Sequence, residues 1–176
     1  MVVEFLGKYR AVWLFLFKFF AVYITGVLLY NFYLGYYTTH IDMITEGVTE
    51  QVARIFSWSL PEISTFYSGE SPVAEIRYFD VPLVLLIEGC NAISVMILFV
   101  AFVIAFKGKF QRYLWFIPLG ITILYLANLI RIYFIGMIVL YLPDYTTWAH
   151  DYIFPGIIYG TTFLLWVVWV KFLADK

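Results

Sequence analysis

The chain has 176 residues, 64% hydrophobic and 13% charged, with a formal net charge of −1 and a mean hydropathy of +0.89. A water-soluble domain of this length exposes far more charge, so the composition excludes one and indicates an integral membrane protein. With no basic excess and no basic stripe, nucleic acid is not an expected partner.

In chain order, the first apolar run covers residues 11–34. It is longer than the hydrophobic region of a cleaved signal peptide, and no small-x-small site follows it. It reads as a retained span. Residues 36–88 form the largest segment outside the apolar runs. In it Ile41, Ile44, Val48, Val52, Ile55 and Phe56 recur near the helical period, with Thr45, Glu46, Glu50 and Arg54 on the rest of the wheel. This predicts an amphipathic helix, packed as a connector in preference to lying on the lipid surface. Ser68-Gly69-Glu70-Ser71-Pro72 is a turn cluster between residues 63–67 and 73–79, which predicts a small β-hairpin. Residues 81–87 are an apolar lead into Glu88-Gly89-Cys90. Further spans are expected at about 89–106, 113–142 and 151–173. The expected fold is an all-α integral membrane protein, a four-transmembrane-helix bundle with a small outer segment, forming one domain over residues 1–176.

Basic residues set the expected orientation. Lys8, Arg10, Lys18, Lys107, Lys109, Arg112, Lys171 and Lys176 fall on one side, and only Arg54, Arg77 and Arg131 on the other. Both termini and the loop at 107–112 are therefore expected in the cytoplasm. The opposite side carries acids from Asp42 through Glu88 to Asp144 and Asp151.

Three residues beside the apolar runs carry the chemistry. At ~1.5 Å of rise per helical residue, Cys90 lies ~26 Å above Lys107, Arg131 ~28 Å above Arg112, and His150 ~32 Å above Lys171. The hydrocarbon core is ~30 Å thick, so all three reach the outer interface. Cys90, at an expected helix start, has dipole and amide donors that favour the thiolate, which is the nucleophilic form. Gly89 leaves room for a substrate carbonyl, and the amides of Asn91 and Ala92 are candidate oxyanion donors. The plainer reading is a small buried cysteine. Arg131 interrupts an apolar run at a cost that asks for a reason, and Asn128 lies one turn earlier on its face. It suits thiolate or oxyanion stabilisation, or else snorkels to headgroups. His150 suits general acid–base work, or else belongs to an aromatic belt with Trp148 and Tyr152. Asp151 is a candidate to orient it, although adjacent helical residues point apart. Glu88 is a candidate for substrate backbone or a plain outer acid. His40 reads as interfacial. With one cysteine and two distant histidines, no internal disulfide is available and neither metal nor cofactor is expected.

The stretches Glu88-Gly89-Cys90-Asn91-Ala92-Ile93-Ser94, Asn128-Leu129-Ile130-Arg131-Ile132 and Ala149-His150-Asp151, in that order, resemble the exosortase/archaeosortase family. The resemblance runs from about residue 81 to 171 and is similar to the compact exosortase F subtype. Two departures stand out. Asn91-Ala92 occupies the place of the family's usual Ser/Thr-Gly after the nucleophile, and many relatives have more spans. The resemblance implies a membrane-embedded cysteine transpeptidase or protease of the inner membrane, its active site facing the periplasmic side. Its partners would be exported proteins with a C-terminal sorting signal made of a short motif, a transmembrane helix and a basic tail. Cys90 would be the nucleophile, His150 the general acid/base and Arg131 the oxyanion or thiolate stabiliser. Glu88, Asn91, Asn128 and Asp151 would bind substrate or support the site. The acceptor would be water, an amine or a lipid. The competing class is a non-enzymatic membrane scaffold or export-complex subunit, which predicts an inert Cys90 and an Arg131 paired with an acid.

Overall fold

A computed structural model describes residues 9–174. Lys8 and Lys176, two of the basic residues used for orientation, and the ends of the expected 1–176 domain lie outside the described residues. The chain is mostly helical with one small sheet. Helix α1 is Arg10–Leu34 and α2 is Met43–Phe56. Strands β1 (Ile63–Tyr67), β2 (Ala74–Tyr78) and β3 (Val81–Leu86) follow. Then come a 3-10 turn at Glu88–Asn91, α3 (Ile93–Ala105), α4 (Phe110–Tyr141) and α5 (Phe154–Val168). Wider π-wound turns at Ala149–Ile153 and Trp169–Leu173 flank α5.

Three helical stretches, Arg10–Leu34, Phe110–Tyr141 and Pro143–Leu173, are long and apolar enough to cross a membrane, which points to a membrane protein. The second expected span differs from expectation. α3 has 13 residues, or ~20 Å of helix against a ~30 Å hydrocarbon core. The chain between Glu88 and Asn91 is a tight turn. Ala92 then takes the left-handed conformation, φ 62°, which breaks the helix before Ile93. Pro118 sits inside α4 without ending it.

The outer segment is a layer of its own. Asp42 caps α2 by accepting hydrogen bonds from the backbone N–H of Ile44 (3.0 Å) and Thr45 (3.1 Å). The helix buries Val48, Val52 and Phe56 completely and packs on β1, β2 and α4, so its apolar face meets protein. The sheet has three antiparallel strands in the order β1-β2-β3, one more than the expected hairpin. The segment read as an apolar lead is β3. It returns through Phe79 and Asp80, both at positive φ (50° and 63°), the geometry of a tight primed hairpin turn. Asn-Gly or Asp-Gly normally marks such a turn; here a bulky Phe occupies it, so the sequence gives no cue.

Two hydrophobic cores result. The outer one joins α2, β2 and β3 to the far half of α4 through Phe56, Ile76, Leu86, Leu129 and Ile132. The inner one joins α3, α4 and α5 through Met96, Phe99, Phe116, Leu124, Leu165 and Trp169. α1 has no buried residue yet packs along α3, where a Cβ on Gly26 would stand 2.6 Å from Ile97. One face of α1 therefore seals α3 and the rest is left uncovered.

Candidate active site

The turn bearing Cys90 lies where the two cores meet. Cys90 packs against the outer core and Ala92 belongs to the inner one. Along α4, Asn128 falls between Leu124 of the inner core and Ile132 of the outer. Buried completely, Asn128 donates from Nδ2 to the Cys90 carbonyl at 2.7 Å and accepts at Oδ1 from Arg131 Nη1 at 3.4 Å. Cys90, Asn128 and Arg131, from two separate apolar runs, are thus brought together. Cys90 is partly buried and its thiol is free.

Arg131 forms no ion pair among the described residues, and its Nε is buried without a hydrogen-bond partner. A buried guanidinium nitrogen without a partner is costly.

Asn91 is the second support. It is 1% exposed and bonded on three sides. Its Nδ2 donates to the Tyr30 hydroxyl (2.6 Å) and to Thr45 Oγ1 (2.9 Å), while its Oδ1 accepts from the Ile93 N–H (3.0 Å). Tyr30 donates in turn to the Glu88 carbonyl at 3.2 Å. One side chain therefore ties α1, α2 and α3 to the turn that bears Cys90. The expectation that Cys90 begins a helix is corrected here. It lies within the 3-10 turn, its N–H bonds the Ile87 carbonyl, and the first amide of α3 is taken by Asn91. Glu88 is half-buried and takes part through its backbone carbonyl.

His150 sits on the π-wound turn, which packs against α4, the helix that also packs against the Cys90 turn. Its Nδ1 lies 3.0 Å from Asp151 Oδ1, so the structure brings these neighbours together. A π-wound turn advances each residue through a smaller angle than an α-helix, so adjacent side chains diverge less. In the Nδ1-protonated tautomer the ring donates to Asp151 and leaves Nε2 basic. Both side chains are exposed, at 63% and 56%. Among the described residues, no hydrogen bond joins His150 to Cys90, Asn128 or Arg131.

Sequence reasoning missed Tyr30 and Thr45. Tyr30 is one of 15 tyrosines with nothing to distinguish it, and Thr45, assigned to the polar face of α2, is fully buried against Asn91. No group of three or more His, Cys, Asp or Glu among the described residues is placed to hold a metal ion. No family model matches the chain, and neither does any curated protein or solved structure.

Proposed function

We propose that this protein is a membrane-embedded cysteine transpeptidase or protease of the exosortase type. It cleaves a C-terminal sorting signal from exported proteins at the outer membrane face. In this reading α3, lengthened by the Glu88–Asn91 turn, is the fourth membrane element. The basic side is cytoplasmic and the acid-rich α2 and sheet cap the periplasmic side.

The observation that carries the reading is the Cys90–Asn128–Arg131 chain of hydrogen bonds. It links the backbone of the residue with the free thiol to an arginine that has no carboxylate partner among the described residues, at the junction of the two cores. A scaffold that spent an arginine here for packing would pair it with a carboxylate; no such pair exists among the described residues.

The chemistry follows from the groups present. His150 takes the thiol proton at Nε2, and Cys90 Sγ attacks the scissile carbonyl carbon. Arg131 donates to the oxyanion as it forms. The C–N bond breaks, His150 returns the proton to the departing amine, and the acyl group remains as a thioester on Cys90. Water, an amine or a lipid hydroxyl then attacks the thioester carbonyl carbon as His150 takes its proton; the C–S bond breaks, and the proton returns to the departing Cys90 thiolate. Substrate docking has to bring His150 to the thiol, because proton transfer needs ~2.6–3.2 Å or one bridging water.

The test is the pH dependence of Cys90 alkylation by a membrane-impermeant thiol reagent applied from the outer side, in wild type, His150→Ala and Arg131→Ala. Fast reaction near neutral pH that slows in both variants supports the enzyme. A thiol that reacts slowly and identically in all three favours the scaffold.

A further inference from the structure

The basic end of the molecule carries a second feature, which the proposed chemistry does not use. A groove of about 530 Å³ runs between α1 and the end of α3, walled by Leu14, Phe15, Ala105 and Phe106 and bordered by Lys18 and Lys107. Lys18 is the single charged residue within residues 11–34, and a lysine inside an apolar span is costly unless something answers its charge. Among the described residues no carboxylate supplies the answer. Neither lysine forms an ion pair among the described residues, and the sequence holds no Asp or Glu at positions 9–41, 89–143 or 152–174.

The two helices run antiparallel here. Phe15 packs edge-on against Phe106 at 4.8 Å between ring centres, while Tyr30 reaches Asn91 at the other end. Lys18 thus lies about a turn deeper than Lys107 along one groove. An apolar trough with two cations at its mouth fits a molecule that has an anionic head and a hydrocarbon body.

We infer that the α1–α3 groove binds one anionic phospholipid, its phosphate between Lys18 and Lys107 and an acyl chain along Phe15 and Phe106. The lipid neutralises the lysine within the apolar span and seals the short helix α3, whose ~20 Å leaves its lysine-bearing end below the leaflet surface. The inference rests on the membrane reading of the chain.

The experiment is native mass spectrometry of the detergent-solubilised full chain with phosphatidylglycerol, phosphatidylcholine and, as a head-only probe, glycerol phosphate. Wild type is expected to retain one phosphatidylglycerol in preference to phosphatidylcholine and to ignore glycerol phosphate. Lys18→Gln and Lys107→Gln should each weaken that preference about fivefold. Lys171→Gln, which alters a separate groove between α3 and α5, should keep it, with unfolding temperatures matched in lipid-free detergent. Equal retention of both lipids, a double variant indistinguishable from wild type, an equal loss in Lys171→Gln, or binding of glycerol phosphate alone overturns the lipid site. Alkaline extraction of membranes separates the two readings. A chain that stays in the membrane without lipid preference sinks only the lipid site, and a chain that extracts as soluble sinks both.

Discussion

Asn128 holds the carbonyl of Cys90 with its amide nitrogen, 2.7 Å away, and offers its amide oxygen to Arg131. A single buried side chain therefore holds both the backbone of Cys90 and the guanidinium of Arg131. Asn128→Ala breaks both contacts and leaves the Cys90 carbonyl short of a donor. The expected cost is ~1–3 kcal/mol, read as a lower unfolding temperature in detergent. Asn128→Asp keeps the shape and an acceptor for Arg131 but loses the donor to Cys90. It should slow Cys90 alkylation while leaving Arg131 held.

Arg131 tests the oxyanion role directly. If its unpaired nitrogen receives the developing charge, Arg131→Gln should lower cleavage of a sorting-signal substrate by about 10²–10³-fold. Arg131→Lys should recover only part of this, since a point charge lacks the guanidinium fork. Single-turnover kinetics with a reporter carrying a C-terminal transmembrane tail would make the comparison. Equal activity in all three proteins would remove Arg131 from the mechanism.

The Asn91 hub predicts graded losses. Tyr30→Phe removes one of three contacts and should cost ~1 kcal/mol, with Thr45 still holding the amide. Asn91→Ala strands the buried Thr45 hydroxyl and uncaps α3, and should cost ~2–3 kcal/mol. Thermal unfolding checks the order, and limited proteolysis near residue 89 should accelerate in Asn91→Ala alone.

Gly136 marks how tightly the outer layer is seated on α4. A Cβ there would collide with the Phe56 ring, and its next neighbour is Val84 at 2.9 Å. Gly136→Ala should therefore push α2 and β3 off the helix and destabilise the protein by ~1–3 kcal/mol. Gly156→Ala, where a Cβ meets nothing within 4 Å, is the control and should leave the unfolding temperature unchanged.

Tyr67, at the end of β1, supplies a pH dependence. Burial, helped by the nearby carboxylates of Glu50 and Glu46, pushes its pKa above the ordinary tyrosine value. The folded state holds the proton more tightly than the unfolded chain does. This stability is fully present below about pH 10 and is lost as pH rises through the folded pKa. Tyr67→Phe should flatten the alkaline limb of an unfolding-versus-pH curve and leave neutral stability equal or slightly higher. A variant with the same alkaline limb as wild type would show that Tyr67 does not govern it.

The sequence by itself determined the long apolar helices, because hydrophobic run length is a local property that needs no partner. It also determined the amphipathic period of α2 and the turn at 68–72, and it singled out the polar residues that interrupt apolar runs. Tertiary structure alone decided what those residues touch. Asn128 reads in the sequence as a companion of Arg131 one helical turn away, yet its stronger bond goes to Cys90, 38 positions earlier. Tyr30 and Thr45 carry no local mark, because their roles exist only once α1 and α2 close on Asn91. The third strand stayed hidden because Phe79 and Asp80 take positive φ without a glycine to announce it. The short α3 looked like a full span because Cys90 and its neighbours continue an apolar run. It is the left-handed Ala92, buried in the inner core, that separates α3 from the 3-10 turn on which Cys90 sits.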